Sequence, residues 1–171
     1  LSPGLPGRGA GAPAPAAEVP LASARQAGTP PAPASAPHAL SFKQIEDMAD
    51  KLAQRLKADP KDPQGWAMLA RSYTMLGRRA EAVTAYERAV ALQGQDASLL
   101  ADYADALAVT RESRLAGEPA ALVERALKLD PDHAKALSLA GTAAFERKDY
   151  AGAVARWEHL LEAAPPDSPF V

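Results

Sequence analysis

The sequence repeats itself. Trp66, Leu69, Ala70 and Tyr73 return 34 residues later as Leu100, Tyr103, Ala104 and Leu107, and 37 residues beyond those as Leu137, Ala140, Gly141 and Ala144. A second set follows each one: Ala82, Tyr86 and Ala89, then Val123 and Ala126, then Ala153 and Trp157. Within every set the apolar residues fall three or four apart, the spacing of one helix face. Gly77 separates a helical run over about Gln64 to Leu76 from another over Arg79 to Leu92, and helices joined so tightly form an antiparallel hairpin. One hairpin cannot bury its own apolar face, so a period of this length forces successive hairpins to stack. The three extra residues of the second unit fall between Val109 and Pro119. There Arg111, Glu112, Ser113, Arg114, Gly117 and Glu118 interrupt the apolar rhythm, and they are expected to lengthen the turn or extend the first helix of that hairpin.

Upstream of the repeats, Ile45, Met48, Ala49, Leu52 and Leu56 mark one more amphipathic helix. Ser41 is its predicted N-cap, Gln44 stands in the capping-box position, and Pro60 and Pro63 bracket its end. Residues 1–40 read differently. They hold nine of the sixteen prolines and twelve alanines, with Arg8, Glu18 and Arg25 as their only charged residues. Too little apolar area is available there to offset backbone ordering, so the segment is expected to be a semi-rigid linker. A start at Leu1 without a positive and apolar targeting run leads to the expectation of a processed product or fragment, with room for an upstream anchor.

Large and small residues alternating at fixed places in paired helices resemble the tetratricopeptide repeat. That resemblance implies an all-α fold, a right-handed solenoid of antiparallel helix pairs. Its expected extent is 41–168, with a half-repeat helix followed by repeats over about 63–96, 97–133 and 134–167. Met48, Leu52 and Arg55 then occupy second-helix positions of the half repeat, so this helix is expected to cover the apolar side of the first full unit. In such arrays the first helix of each pair lines a concave groove. The groove positions implied here are Gln64, Ala67, Arg71, Thr74 and Met75; Ser98, Ala101, Asp105, Ala108 and Val109; and Lys135, Ser138, Thr142, Phe145 and Glu146. Alanine and serine leave room for an incoming helix or extended peptide. Met75, Val109 and Phe145 supply apolar cover, and Arg71 or Lys135 can pair with carboxylates.

Little in the chain suggests catalysis. Cysteine is absent, which excludes disulfides, thiolate nucleophiles and thiolate metal sites. His38, His133 and His159 form no HxxxH pair, so no metal is expected; they are assigned to the linker, a helix start and a solvent face respectively. There is no nucleophile-elbow motif and no phosphate-binding loop. Asp47, Asp50, Asp102 and Asp105 read as helix-surface groups, while Trp66 and Trp157 fit large-residue core positions better than ligand-stacking ones. Tyr73, Tyr86 and Tyr103 are expected to pack internally. With 19 Lys and Arg against 21 Asp and Glu, no field exists to gather nucleic acid, and no apolar stretch reaches membrane-spanning length. The expectation is a non-enzyme without cofactor.

Particular phrases narrow the resemblance. Leu52-Ala53-Gln54-Arg55-Leu56, the run from Gly65 to Tyr73 and Leu76-Gly77-Arg78 are similar to the opening of the periplasmic cytochrome c biogenesis family that includes CcmI, CycH and NrfG. The similarity continues through Leu99-Leu100-Ala101-Asp102-Tyr103-Ala104, Leu129-Asp130-Pro131 and Leu139-Ala140-Gly141 to Trp157 and Leu160-Leu161. It implies a non-catalytic apocytochrome c chaperone or heme-lyase accessory module, periplasmic and tethered to the inner membrane through a region absent from this chain. The implied partners are apocytochrome c, including a C-terminal helical segment, and heme-lyase subunits. A general peptide-binding scaffold in another envelope complex is the alternative. No helix is evident after Pro165 and Pro166, so the apolar edge left there would favour self-association.

Overall fold

A computed structural model of the chain describes residues 41–163, and within them every regular element is a helix: α1 (Phe42–Ala58), α2 (Pro63–Met75), α3 (Arg79–Leu92), α4 (Ala97–Thr110), α5 (Glu118–Leu129), α6 (Ala134–Glu146) and α7 (Tyr150–Ala163). The linker expectation for 1–40, His38, and the repeat's end at Pro165 and Pro166 lie outside the described residues.

Side-chain caps set the starts of α1, α2, α4 and α6. Ser41 and Gln44 form the expected capping box, with Gln44 N donating to Ser41 Oγ at 3.2 Å and Ser41 N to Gln44 Oε1 at 2.7 Å. Asp62 caps α2 by accepting from Gly65 N at 2.8 Å, and Pro63 fills the first turn, where its missing N–H costs nothing. Asp96 accepts from Leu99 N at 3.0 Å and so caps α4. His133 does the same for α6 with its ring, Nδ1 accepting from Ala136 N at 3.2 Å, which places it at the helix start as expected. Gly77 ends α2 with φ 71°, and Arg78 N donates to Tyr73 O at 2.8 Å across it.

The helices pack as three successive pairs, α2 with α3, α4 with α5 and α6 with α7, and each second helix lies against the next first helix. One continuous core results, with Leu56, Leu69, Leu100, Val123 and Leu137 sealed from solvent. Small residues set how closely helices approach. Ala70, Ala104 and Gly141 share one register and are all buried, and a Cβ built on Gly141 would fall onto the Trp157 indole. Trp66 and Trp157 are half-buried packing residues, and Trp66 Nε1 donates to Pro60 O at 2.9 Å. Tyr73, Tyr86 and Tyr103 are buried, with the last two stacked at 6.3 Å between centroids.

Three details bear on the sequence reading. Of the two expectations for the middle unit, the lengthened turn is the one observed, with α4 ending at Thr110. Glu112 and Ser113 take positive φ there, and Leu115 tucks under the turn into a small apolar cluster with Ala108 and Ala143. His159 lies at the surface with its side chain 41% exposed, and its Nε2 sits 2.8 Å from the exposed Asp132 Oδ1. Helix α1 does cover α2, but through Ala49, Leu52, Ala53 and Leu56; Met48 and Arg55 stay exposed because no described helix lies on that side.

Candidate functional site

The helices α2, α4 and α6 present a charged stripe, and its centre is a residue left out of the groove assignment. Asp102 receives Arg71 Nε from α2 at 3.1 Å on Oδ2 and Lys135 Nζ from α6 at 2.9 Å on Oδ1. Asp105 also receives Lys135 Nζ at 2.9 Å. Two cations and two anions therefore run across three helices as one chain of contacts. Burial presses the Lys135 ammonium toward its neutral form, but hydrogen bonds and charge from Asp105 and Asp102 outweigh it and raise its pKa above the ordinary lysine value. Beside the chain lies a cavity of about 260 Å³ edged by Thr74, Tyr86, Asp102, Asp105, Val109 and Lys135. Burial, with Asp102 nearby, raises the Tyr86 phenol, so that hydroxyl remains neutral at physiological pH.

The other assigned positions divide. Thr74 and Thr142 are exposed, and their hydroxyls bond back to Ala70 O at 2.9 Å and Ser138 O at 3.0 Å. Gln64 is exposed but donates to the Gln93 side chain at 3.1 Å. Ser98 Oγ lies 3.0 Å from His133 Nε2, and Ser138 is half-buried. Met75 and Val109 are open to solvent. Three alanines are not on the surface: Ala67, Ala101 and Ala108 are buried in the packed interior. They define the floor of the face and offer a ligand no contact area. Glu146 is exposed yet occupied, its two carboxylate oxygens accepting from Leu115 N at 3.0 and 3.3 Å. Phe145 stays half exposed while packing edge-on against Tyr150 at 5.5 Å and tilted against Trp157 at 6.3 Å, so it belongs as much to the end of the third hairpin.

An apolar recess lies outside the assigned groove. Met48, Leu52 and Arg55 of α1, with Met68 and Ser72 of α2 and Lys51 at its edge, line a cavity of about 420 Å³. Met68 stands 34 residues before Asp102, so the repeat register itself holds the signal for both. In each case the residue faces the preceding first helix: Asp102 bonds to Arg71 of α2, while nothing described precedes Met68.

Comparison with known proteins gives consistent matches. Residues 33–171 match the family model described as the cytochrome c-type biogenesis protein H TPR domain. The cytochrome c-type biogenesis protein CycH of Pseudomonas aeruginosa is 37% identical over 136 residues, which are 80% of this chain and 32% of that protein. Cytochrome c-type biogenesis protein CcmH of Escherichia coli K12 is 31% identical over 129 residues, 74% of this chain and 36% of its own length. The chain thus spans about a third of those relatives. Among solved structures, MamA superposes with TM-score 0.65 at 19% identity, covering 72% of this chain and 70% of its own. YrrB, described as a TPR protein with an unusual peptide-binding site, gives 0.63 at 19% identity over 73% and 63%. At that identity the two structures establish the fold, an all-α tetratricopeptide solenoid.

Proposed function

The chain belongs to the cytochrome c-type biogenesis protein H TPR-domain family, and from that premise we propose that it serves c-type cytochrome maturation by holding client polypeptide along the face formed by α2, α4 and α6. The client is apocytochrome c, including its C-terminal helical segment, and the module works beside heme-lyase subunits. It acts in the periplasm without chemistry of its own, tethered to the inner membrane through a region outside this chain. No helix among the described residues is long and apolar enough to cross a membrane.

The observation that carries this reading is the shared Asp102. Partly exposed ion pairs contribute only about 0–1 kcal/mol each, so their partners exchange at small cost. A client carboxylate that takes Arg71 leaves Asp102 held by Lys135, and one that takes Lys135 leaves Asp102 held by Arg71. Taking Arg71 strands no charge, whereas taking Lys135 also releases Asp105, so Arg71 is the cation given up at the smaller cost. Open Met75 and Val109 beside the stripe supply apolar contact for one side of a helix. Such a face grips an incompletely folded chain reversibly, as hand-over to heme-lyase subunits requires.

The test is binding of labelled apocytochrome c and holocytochrome c to the purified chain. The apo form should bind, the holo form should bind at least about tenfold more weakly, and changing Arg71 and Asp105 together to alanine should remove the preference while helicity stays intact. Equal binding of unrelated peptide tails would favour the general envelope scaffold.

A further inference from the structure

We infer that the recess between α1 and α2 is the seat of an amphipathic helix supplied by the client, which completes the array by standing where a first helix would precede α1. This inference rests on the client-binding reading above and adds the place and the form of the bound segment.

The internal joints of the molecule supply the template. Helix α1 packs on α2 as α3 packs on α4 and α5 on α6, so α1 stands as a second helix whose own first helix is not among the described residues. The side of α1 that such a helix would meet carries Met48 and Leu52, and the side of α2 that it would meet carries Met68 and Ser72. At the same register in α6, Leu139 packs against Ala108 of α4 in a closed cluster. In α2, by contrast, Met68 is 60% exposed, and Met48 across from it is 57% exposed. Both line the recess of about 420 Å³. Two facing, solvent-exposed methionines form an adaptable apolar wall that tolerates different side chains.

Charge specifies the occupant further. Lys51 and Arg55 flank the recess, and Lys51 makes no ion pair among the described residues. The fitting segment is therefore about the length of α2 or α4, 13 or 14 residues, with apolar groups at every third or fourth position and a carboxylate beside them. Residues 1–40 do not supply it: their longest proline-free run after Leu5 is Leu21–Thr29, with Leu21 its only large apolar side chain. A second copy offers α7 at its far end, but α7 closes a hairpin on α6 and is not free to enter as a first helix. Neither of these sources fits, and the seat is assigned to the client, whose carboxylate-bearing helix would meet Lys51 and Arg55.

The chain's three methionines make the test direct. With methyl-labelled methionine, Met48 and Met68 report the recess and Met75 reports the groove, all of them more than half exposed. Two probes are added to the full chain: a peptide of the apocytochrome c C-terminal helix, and a designed amphipathic peptide of leucine and glutamate as long as α4, 14 residues. Both should shift Met48 and Met68 in the wild type, and M48E with M68E should weaken binding of both fluorescently labelled peptides, read by anisotropy, by about tenfold because each places a carboxylate against apolar contact and against glutamate. K51E, at an exposed site with no fold role, should weaken them about threefold. A shift confined to Met75 with the apocytochrome peptide, unaffected by M48E and M68E, overturns the inference and leaves the groove reading intact. Met-dependent binding of the designed helix with none of the apocytochrome peptide overturns the inference together with the client reading, because the seat then takes a helix that the client does not supply. Shifts at Met48 and Met68 on raising protein concentration alone, or on L21E without peptide, assign the seat to a second copy or to this chain's own segment and likewise overturn it.

Discussion

The first and third hairpins solve one packing problem with different residues. Counting 71 residues onward, Ala70 becomes Gly141, Gly77 becomes Lys148, Val83 becomes Val154 and Tyr86 becomes Trp157. Where the second helix gains a larger ring, the first helix gives up its last side-chain atom. The volumes compensate, so the register survives although the residues change. The surroundings do not compensate. Helix α4 covers α3, whereas no described helix covers α7, and Tyr150, Val154 and Leu161 consequently stand about half exposed. Repeat position predicts where a residue points, and its neighbours determine what the position contributes.

That comparison can be broken at four places. The largest effect should come from Gly141→Ala, whose new methyl group meets the Trp157 indole. Overpacking of this kind costs about 1–3 kcal/mol, and W157F should recover part of it in urea denaturation. The opposite change in the first hairpin, A70G, should cost only about 1 kcal/mol. Next is the turn. Lys148 holds φ 62° where Gly77 holds 71°, and the same backbone bond closes both, Asp149 N to Ala144 O at 3.0 Å matching Arg78 N to Tyr73 O. A left-handed lysine is strained by about 1 kcal/mol relative to glycine, so K148G should raise the melting temperature and G77K lower it. Third, V83A should cost about 1 kcal/mol because Val83 packs on the core, and V154A about half that or less.

The smallest effect concerns Lys135 and pH. Its folded pKa lies above the unfolded value, so its contribution is fully present below about pH 10.4 and is lost as pH rises through the higher folded value. Stability should decline there in the wild type more than in K135M, as followed by helical circular dichroism. With the lysine side chain 40% exposed, solvent screening keeps the difference small.

Much of the fold was readable because the signals were local or periodic. Ser41 with Gln44, Gly77 and the return of Trp66 at Leu100 and Leu137 each require only a short stretch of chain or a fixed offset. The site was less readable, since its chemistry depends on partners 31 to 33 residues apart. Asp102 has no signature of its own, and only the proximity of α2 and α6 turns it into a shared anion. Glu146 looks like an open groove acid until the turn residue Leu115 arrives beneath it. Ala67, Ala101 and Ala108 occupy groove positions by count, yet the approach of neighbouring helices encloses them. Interaxial distance is a property of the assembled array, and no single helix encodes it.

Asp102 also links two joints of the array. Its two oxygens bind Arg71 of α2 and Lys135 of α6 from one carboxylate of α4, and Asp105 holds Lys135 a second time. On the proposed reading the two joints are therefore unequal: a client that draws away Arg71 breaks one ion pair between α2 and α4, and one that draws away Lys135 breaks two between α4 and α6.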